Sequence, residues 1–516
     1  MIKNYLRVAF RNIKRHKSFS FINVAGLAVG MACTILIGTY VYHELSYDRF
    51  NEKAGQIYRV GAQYGPTVDD RGAYTAPPMA QAMLNDFPEI EYAVRLDLWP
   101  TNYLVSYKDK RFLEKRIIYA DASIFDVFTI PLILGDSSKA LTDPNTIVIT
   151  QTIAKKYFGK ENPLGKSLKL KEEGTDYKIT GLVEDCPASS HFQFDMIASL
   201  VSIQSSDDDS WMGHCYFTYI VLRDDALPSK LEAKFPDFIN RHYGPKFLSE
   251  TGMSYEKYLK DENNYYGYYL QPLLDIHLNV SISDNLPGKG NINYIYIFSA
   301  IALFILLIAC INFMNLSTAR FTKRSKEVGV RKVLGSSQKQ LILQFLCESI
   351  LFSLIALVLA LLIVEISLPA FSSIASRELQ INYFGNIYIL LAFSGFALVV
   401  GILAGSYPAF FLSSFKPVQT IKGTLEKSKG GHLHFRQVLV VLQFTITAFI
   451  LIGTFIINSQ LRYVRNKDLG FNKEHVVVIH RANVIRSQGD AFKQELLKNP
   501  DILVVSNTNS LPGRHF

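Results

Sequence analysis

The chain has 516 residues, 49% of them hydrophobic, and carries 54 Lys and Arg against 45 Asp and Glu, a formal net charge of +9. The apolar content is high for a wholly soluble protein, and the length leaves room for several domains. The basic excess clusters beside uncharged apolar runs, where the charge bias of membrane insertion accounts for it, so no nucleic-acid partner is expected.

Residues 1–18 read as an amphipathic helix lying in the membrane interface. Tyr5, Leu6, Ala9, Phe10 and Ile13 fall on one side, with Arg7, Arg11, Lys14 and Arg15 on the other. A cleaved signal peptide is the rival. The basic region is long for one, and no small-residue cleavage site precedes His43-Glu44. A first span is predicted over 19–42, where Gly26 and Gly30 stand one helical turn apart; the spacing recurs at Gly401 and Gly405 and marks surfaces for close helix packing.

Residues 43–290 are polar enough to form an extracytoplasmic domain with its own core. Strand patterns at Ile57–Tyr64, Lys115–Tyr119, Thr146–Thr150, Asp176–Val183, Tyr216–Arg223 and Gly267–Leu273 alternate with helical ones at Met79–Phe87, Thr150–Phe158 and Lys230–His242. This predicts a mixed α+β fold in one lobe or two.

Four features of this stretch imitate chemical sites. Gly159–Ser167 (GKENPLGKS) is close to a phosphate-binding loop, but five residues separate its glycines where four are needed, so it reads as a surface turn. His43-Glu44 begins like a zinc protease motif, but Tyr47 stands where the second histidine ligand belongs. Asp207–Asp209 lacks calcium-loop spacing. Cys186 and Cys215 could form a disulfide or remain free thiols. No cysteine–histidine cluster has zinc spacing, no supported nucleophile–base set is found, and neither metal, cofactor nor catalysis by this chain is expected.

Further spans are predicted over 291–317, 341–364, 387–411 and 437–460, each meeting the need for about 20 mostly apolar residues. Between the second and third, segment 318–340 carries Arg320, Lys323, Arg324, Lys326, Arg331, Lys332 and Lys339 against Glu327. With the basic loop 412–436, it belongs on the cytoplasmic side, which puts the amino terminus inside and the large domain outside. Glu348 and Glu365 bracket the third span and read as interfacial, not as a proton path.

Ile35–Thr39 and Ile450–Thr454 are both ILIGT, and Pro88-Glu89-Ile90 is echoed by Pro500-Asp501-Ile502 about 410 residues later. A duplicated unit is expected, one span, an outer domain and three spans. Residues 461–516 then read as the start of a second outer domain whose unit is cut short.

The run Asn315-Leu316-Ser317-x-Ala319-Arg320, then Arg324-x-Lys326-Glu327-Val328-Gly329-Val330-Arg331-Lys332-x-Leu334-Gly335, then Gln344-Phe345-Leu346-x-Glu348-Ser349, resembles the MacB/FtsX-type ABC transporter permeases. The duplicated form is similar to the long permeases common in Bacteroidetes. The outer domain resembles the MacB-type periplasmic core domain, including Tyr157-Phe158-Gly159 and Asn162-Pro163-Leu164-Gly165. The resemblance implies an inner-membrane, non-catalytic permease that passes motion from a separate, dimeric cytoplasmic ABC ATPase to the periplasmic domain, for export or work on the outer side. A periplasmic adaptor or outer-membrane component is a further implied partner. It also implies an ATPase-coupling helix at about 325–334, formed by Arg324, Lys326, Glu327, Val328, Gly329, Val330, Arg331, Lys332 and Leu334 and stopped at Gly335. On that helix Glu327 and Arg331 would pair at i, i+4, leaving Val328 and Val330 to pack. The alternative is a signalling receptor, which would need a cytoplasmic output domain that the short inner loops do not supply.

Overall fold

The computed structural model describes residues 15–98, 102–170, 174–203, 206, 208–261, 264–282, 286, 288–319, 328–381, 383, 387–413, 431–467, 475–479 and 488–508, with Arg7 and Arg11. The elements, in chain order, start with α1 (Lys17–Leu45), β1 (Ile57–Gln63), β2 (Arg71–Gly72), α2 (Met79–Asp86), β3 (Ile90–Asp97), β4 (Tyr103–Tyr107), β5 (Lys110–Glu114), β6 (Ile117–Ala120) and α3 (Ile124–Val127). Next come β7 (Leu132–Gly135), β8 (Thr146–Thr150), α4 (Gln151–Phe158), β9 (Ser167–Leu170), β10 (Thr175–Val183), β11 (Met196–Ser199), β12 (Phe217–Leu222), α5 (Pro228–Glu232), α6 (Phe235–Thr251), α7 (Tyr255–Tyr258) and β13 (Gly267–Pro272). The chain continues through α8 (Ile292–Ala319), α9 (Gln338–Ala375), α10 (Ile387–Ser413), α11 (Gly431–Asn466) and α12 (Gly489–Leu497). It divides into a helical unit, 1–45 with 292–470, and a second unit, 46–291 with 471–516.

In the second unit the strands form one sheet in the order β13-β1-β12-β3-β6-β11-β8-β10-β9-β4-β5, with β2 beside β1 and β7 beside β10. Pairing is antiparallel except for β6 with β11 and β8 with β10. Alternation along the strands divides the core. Phe217, Tyr219 and Val221 of β12 enter one buried cluster, while Ile220 and Leu222 enter another. Likewise β8 sends Val148 to the first face and Ile147 and Ile149 to the opposite one. Side chains at successive strand positions point to opposite faces, so one face carries a single core while the other is split in two. One part lies under α2 and α6, through Met79, Met83, Phe235, Phe238 and Ile239, and the other under α4, through Ile153, Tyr157 and Phe158. Each such fully buried side chain contributes roughly 1.5–3 kcal/mol of transfer free energy. Whether the domain has one lobe or two thus resolves into one shared sheet with a divided second layer.

Both sheet edges are blunted. Glu232 Oε1 accepts the Leu270 N–H of edge strand β13 at 2.8 Å, and edge strand β5 exposes Lys110 and Arg111. The single helix expected at Lys230–His242 is instead α5 and α6. Pro236 has no N–H and fits the first turn of a helix, so the chain breaks at Ala233-Lys234 and restarts.

Five helices of the first unit, α1, α8, α9, α10 and α11, are long and apolar enough to cross a membrane. Helix α9 is longer than the 341–364 expected, running through Pro369 to Ala375, so part of the expected outer connection is helical. Proline is tolerated in membrane helices because neighbouring groups satisfy the freed carbonyl. Helices α1, α8, α9 and α10 share a buried core that includes Leu27, Met31, Phe313, Phe352, Ala356 and Val400.

The glycines set the approach of these helices. A Cβ on Gly30 would lie 2.5 Å from Ala309 Cβ, and one on Gly26 would lie 3.4 Å from Asn312 Nδ2. A Cβ on Gly401 would lie 2.8 Å from Ile350 Cα, and one on Gly405 2.7 Å from Ser349 Cβ. The first pair seats α1 on α8; the second seats α10 on α9, where Ser353 Oγ also donates to Ala397 O at 2.8 Å. Helix α11 is largely exposed and rests on α8, with Asn315 Nδ2 3.4 Å from Gln443 Oε1.

Candidate coupling site

The short helix at 328–333 ends because Gly335 takes φ +95°, a conformation that side-chain-bearing residues rarely adopt. The Ser336 N–H reaches Arg331 O at 3.0 Å and the Gly335 N–H reaches Lys332 O at 3.1 Å, the paired bonds of a Schellman stop. Two residues later a new helix begins: Ser337 Oγ accepts the Gln340 N–H while Gln340 Oε1 accepts the Ser337 N–H, a capping box that opens α9. The local sequence Leu-Gly-Ser-Ser-Gln therefore carries a stop and a start within five residues.

Three contacts tie the short helix to the bundle. Val328 is buried with Leu341 and Phe345 of α9 and Ala409 of α10. Arg331 Nη1 donates to Gln344 Oε1 at 2.9 Å. Lys332 Nζ donates to Ser413 O, the last carbonyl of α10, at 2.7 Å. Partial desolvation lowers the Lys332 pKa, a cost that the hydrogen bond to that carbonyl offsets in part. The other side of the helix is open: Val330, Val333 and Leu334 are 51%, 64% and 80% exposed.

This differs from the sequence expectation in one respect. Val330 points outward, and among the described residues 328–336 only Val328 and Gly329 are buried. Arg331 bonds Gln344; its expected partner Glu327, with Arg324 and Lys326, lies outside the described residues. Sequence reasoning also missed Gln344 and Ser413 as anchors, and Val333 as part of the open face. Gln344 stood in the Gln344-Phe345-Leu346-x-Glu348 run, a polar side chain in an apolar helix, but without a role; a backbone carbonyl such as that of Ser413 leaves no signal.

At the opposite ends of α1 and α9, Glu44 and Arg377 form an ion pair that the sequence reading did not connect. Among the imitated sites, Gly159 and Gly165 take positive φ, Asn162 Oδ1 accepts the Leu164 N–H at 3.0 Å, and Lys166 is paired with Glu161, which makes a turn of the GKENPLGKS stretch. Asp208 caps Ser210, Asp209 faces Lys246 at 3.7 Å, and Asp207 lies outside the described residues. Cys186 and Cys215 are free thiols, and burial raises both to about 11. Glu348, expected at the interface, is 6% exposed. Among the described residues no group of three acidic, histidine or cysteine side chains could hold a metal.

A bundle of membrane-length helices with an α+β domain inserted after its first member, and a helical turn clamped at one end, defines a multi-span membrane-protein architecture. The family description MacB-like periplasmic core domain matches residues 20–238, and FtsX-like permease C-terminal matches 299–417. The chain belongs to the MacB/FtsX-type family of ABC transporter permeases. It is 26% identical over 279 residues to the macrolide export ATP-binding/permease protein MacB of Bdellovibrio bacteriovorus, covering 53% of this chain and 38% of that protein. It is 21% identical over 435 residues to the uncharacterized ABC transporter permease YvrN of Bacillus subtilis, covering 81% of this chain and 99% of that one. The chain thus spans well under half of the Bdellovibrio protein. Among solved structures, the periplasmic region of MacB from Actinobacillus actinomycetemcomitans is 13% identical over 42% of this chain and 88% of that one, with a TM-score of 0.28.

Proposed function

We propose that this chain is the non-catalytic permease subunit of an ABC transporter, lying in the bacterial inner membrane with its amino terminus in the cytoplasm, and that it transmits ATP-driven motion from a separate ATPase dimer to its periplasmic domain. The observation that carries this reading is the short helix with one face tied down and the other apolar and open. Val328, Arg331 and Lys332 bind it to α9 and α10, while Val330, Val333 and Leu334 present a surface suited to a groove on another protein.

A push on that surface would reach α9 and α10 together. These two pack through Gly401 and Gly405, and α9 meets α1 at Phe352–Phe19 and at Arg377–Glu44. Helix α1 is covalently continuous with Ser46, the first residue of the domain. The work done outside is export or action on a periplasmic component, with an adaptor or outer-membrane protein as a further partner. Purification of the tagged full chain from native membranes tests the reading: an ABC ATPase should co-purify, and should be lost when Glu327 and Arg331 are both substituted by Ala. Retention of the ATPase by that double variant would sink the coupling assignment.

A further inference from the structure

Arg7, Arg11 and Arg15 are helical and exposed, and Lys17, at the start of α1, is exposed as well. Their i, i+4, i+8 spacing puts the three guanidinium groups along one side of a helix. The sequence contains no Asp or Glu before Glu44, so nothing acidic in the first 43 residues balances this stripe. Immediately after it, Phe21 and Ile22 of α1 are 73% and 52% exposed, large apolar side chains placed where a span enters lipid. Cations followed within two helical turns by exposed apolar side chains match the order of a bilayer surface, phosphate first and acyl chain beneath.

We infer that Arg7, Arg11 and Arg15 form a binding surface for anionic phospholipid headgroups, so that the permease recruits phosphatidylglycerol-type lipids around its first span. The occupant is a lipid of the bilayer, because the apolar continuation at Phe21 and Ile22 suits a molecule with an acyl chain and has no use for a free phosphate. The guanidinium groups bond phosphate oxygens, and the leaflet's negative potential adds a term that falls with salt. The inference rests on the proposed orientation only in naming the inner leaflet, and it does not depend on an ATPase.

The test uses the full chain, released from bilayers containing equal phosphatidylglycerol and phosphatidylcholine, with retained lipids counted by native mass spectrometry. The wild type should retain phosphatidylglycerol in at least about tenfold preference, and the triple variant Arg7→Gln/Arg11→Gln/Arg15→Gln should lose that preference while melting at the same temperature. Raising the salt on the wild type should reduce it too, which keeps the test decisive if the variant folds poorly. Equal retention of both lipids by the wild type, or a salt-independent preference, overturns the inference. So does a folded triple variant that keeps its phosphatidylglycerol, including one that sheds a co-purifying protein instead.

Discussion

Arg377 Nε donates a 2.7 Å hydrogen bond to Glu44 Oε1, and this ion pair joins the end of α1 to the residue pair that follows α9. The Glu44 side chain is 1% exposed and that of Arg377 17%, so the pair is largely withdrawn from water. Removing one partner of a buried pair is far more costly than removing both. Arg377→Gln should therefore lower stability by about 3 kcal/mol. Glu44→Gln/Arg377→Gln should recover most of that loss, as read by thermal unfolding of the detergent-solubilised chain. A double variant as unstable as the single one would show that the pair's geometry, not its charge, is what matters.

The glycine contacts make a prediction about rescue. Gly30→Ala would bring a new Cβ against the Ala309 methyl, and Ala309→Gly removes that methyl, so the double variant should regain the roughly 1–3 kcal/mol lost to overpacking. Gly401 is different. Its obstruction includes the Ile350 Cα, which no side-chain substitution can clear, so Gly401→Ala should remain destabilised when Ser353 is also changed to Ala. Thermal unfolding of the four variants separates the two cases.

The parts of the molecule legible in the sequence were those with strong local signals. The apolar length of α1, α8 and α10 identified them, and the all-buried strand at Thr146–Thr150 showed as a continuous β-branched run. Strand β3 was passed over although Ile90, Tyr92, Val94 and Leu96 alternate with Glu91, Arg95 and Asp97; its polar face is partly withdrawn from water, with Arg95 held bidentate by Asp121. Strand β5 was hidden because an edge strand can expose four of its five residues. At the coupling segment, the glycine stop was readable from residue type. Which valine faced inward was not, because that depends on where α9 and α10 present Phe345 and Ala409. The Glu44–Arg377 pair lay beyond any local reading, its members 333 positions apart.

Acid should weaken the domain through His214. Its Nδ1 donates to Met212 O at 3.1 Å, its Nε2 lies 2.9 Å from Tyr266 Oη, and burial holds its pKa below the ordinary 6.5. Below pH 6.5 the unfolded chain binds a proton at this position that the folded chain refuses, so stability falls with pH until the folded value is reached. The slope is at most about 1.4 kcal/mol per pH unit. Denaturant unfolding at pH 7.5 and 5.5 should show a smaller acid loss for His214→Gln than for the wild type. An equal loss in both would contradict this assignment.

The central claim, that the open face of the 328–335 segment receives force from an ATPase, is tested most directly by ATP turnover in proteoliposomes containing the full chain and its co-purifying ATPase. Val333 and Leu334 are exposed, so Val333→Asp/Leu334→Asp should leave folding within about 0.5 kcal/mol of the wild type. Stimulation of ATP turnover should fall to the level of the ATPase alone in that variant. Full stimulation by the folded double variant would contradict the account.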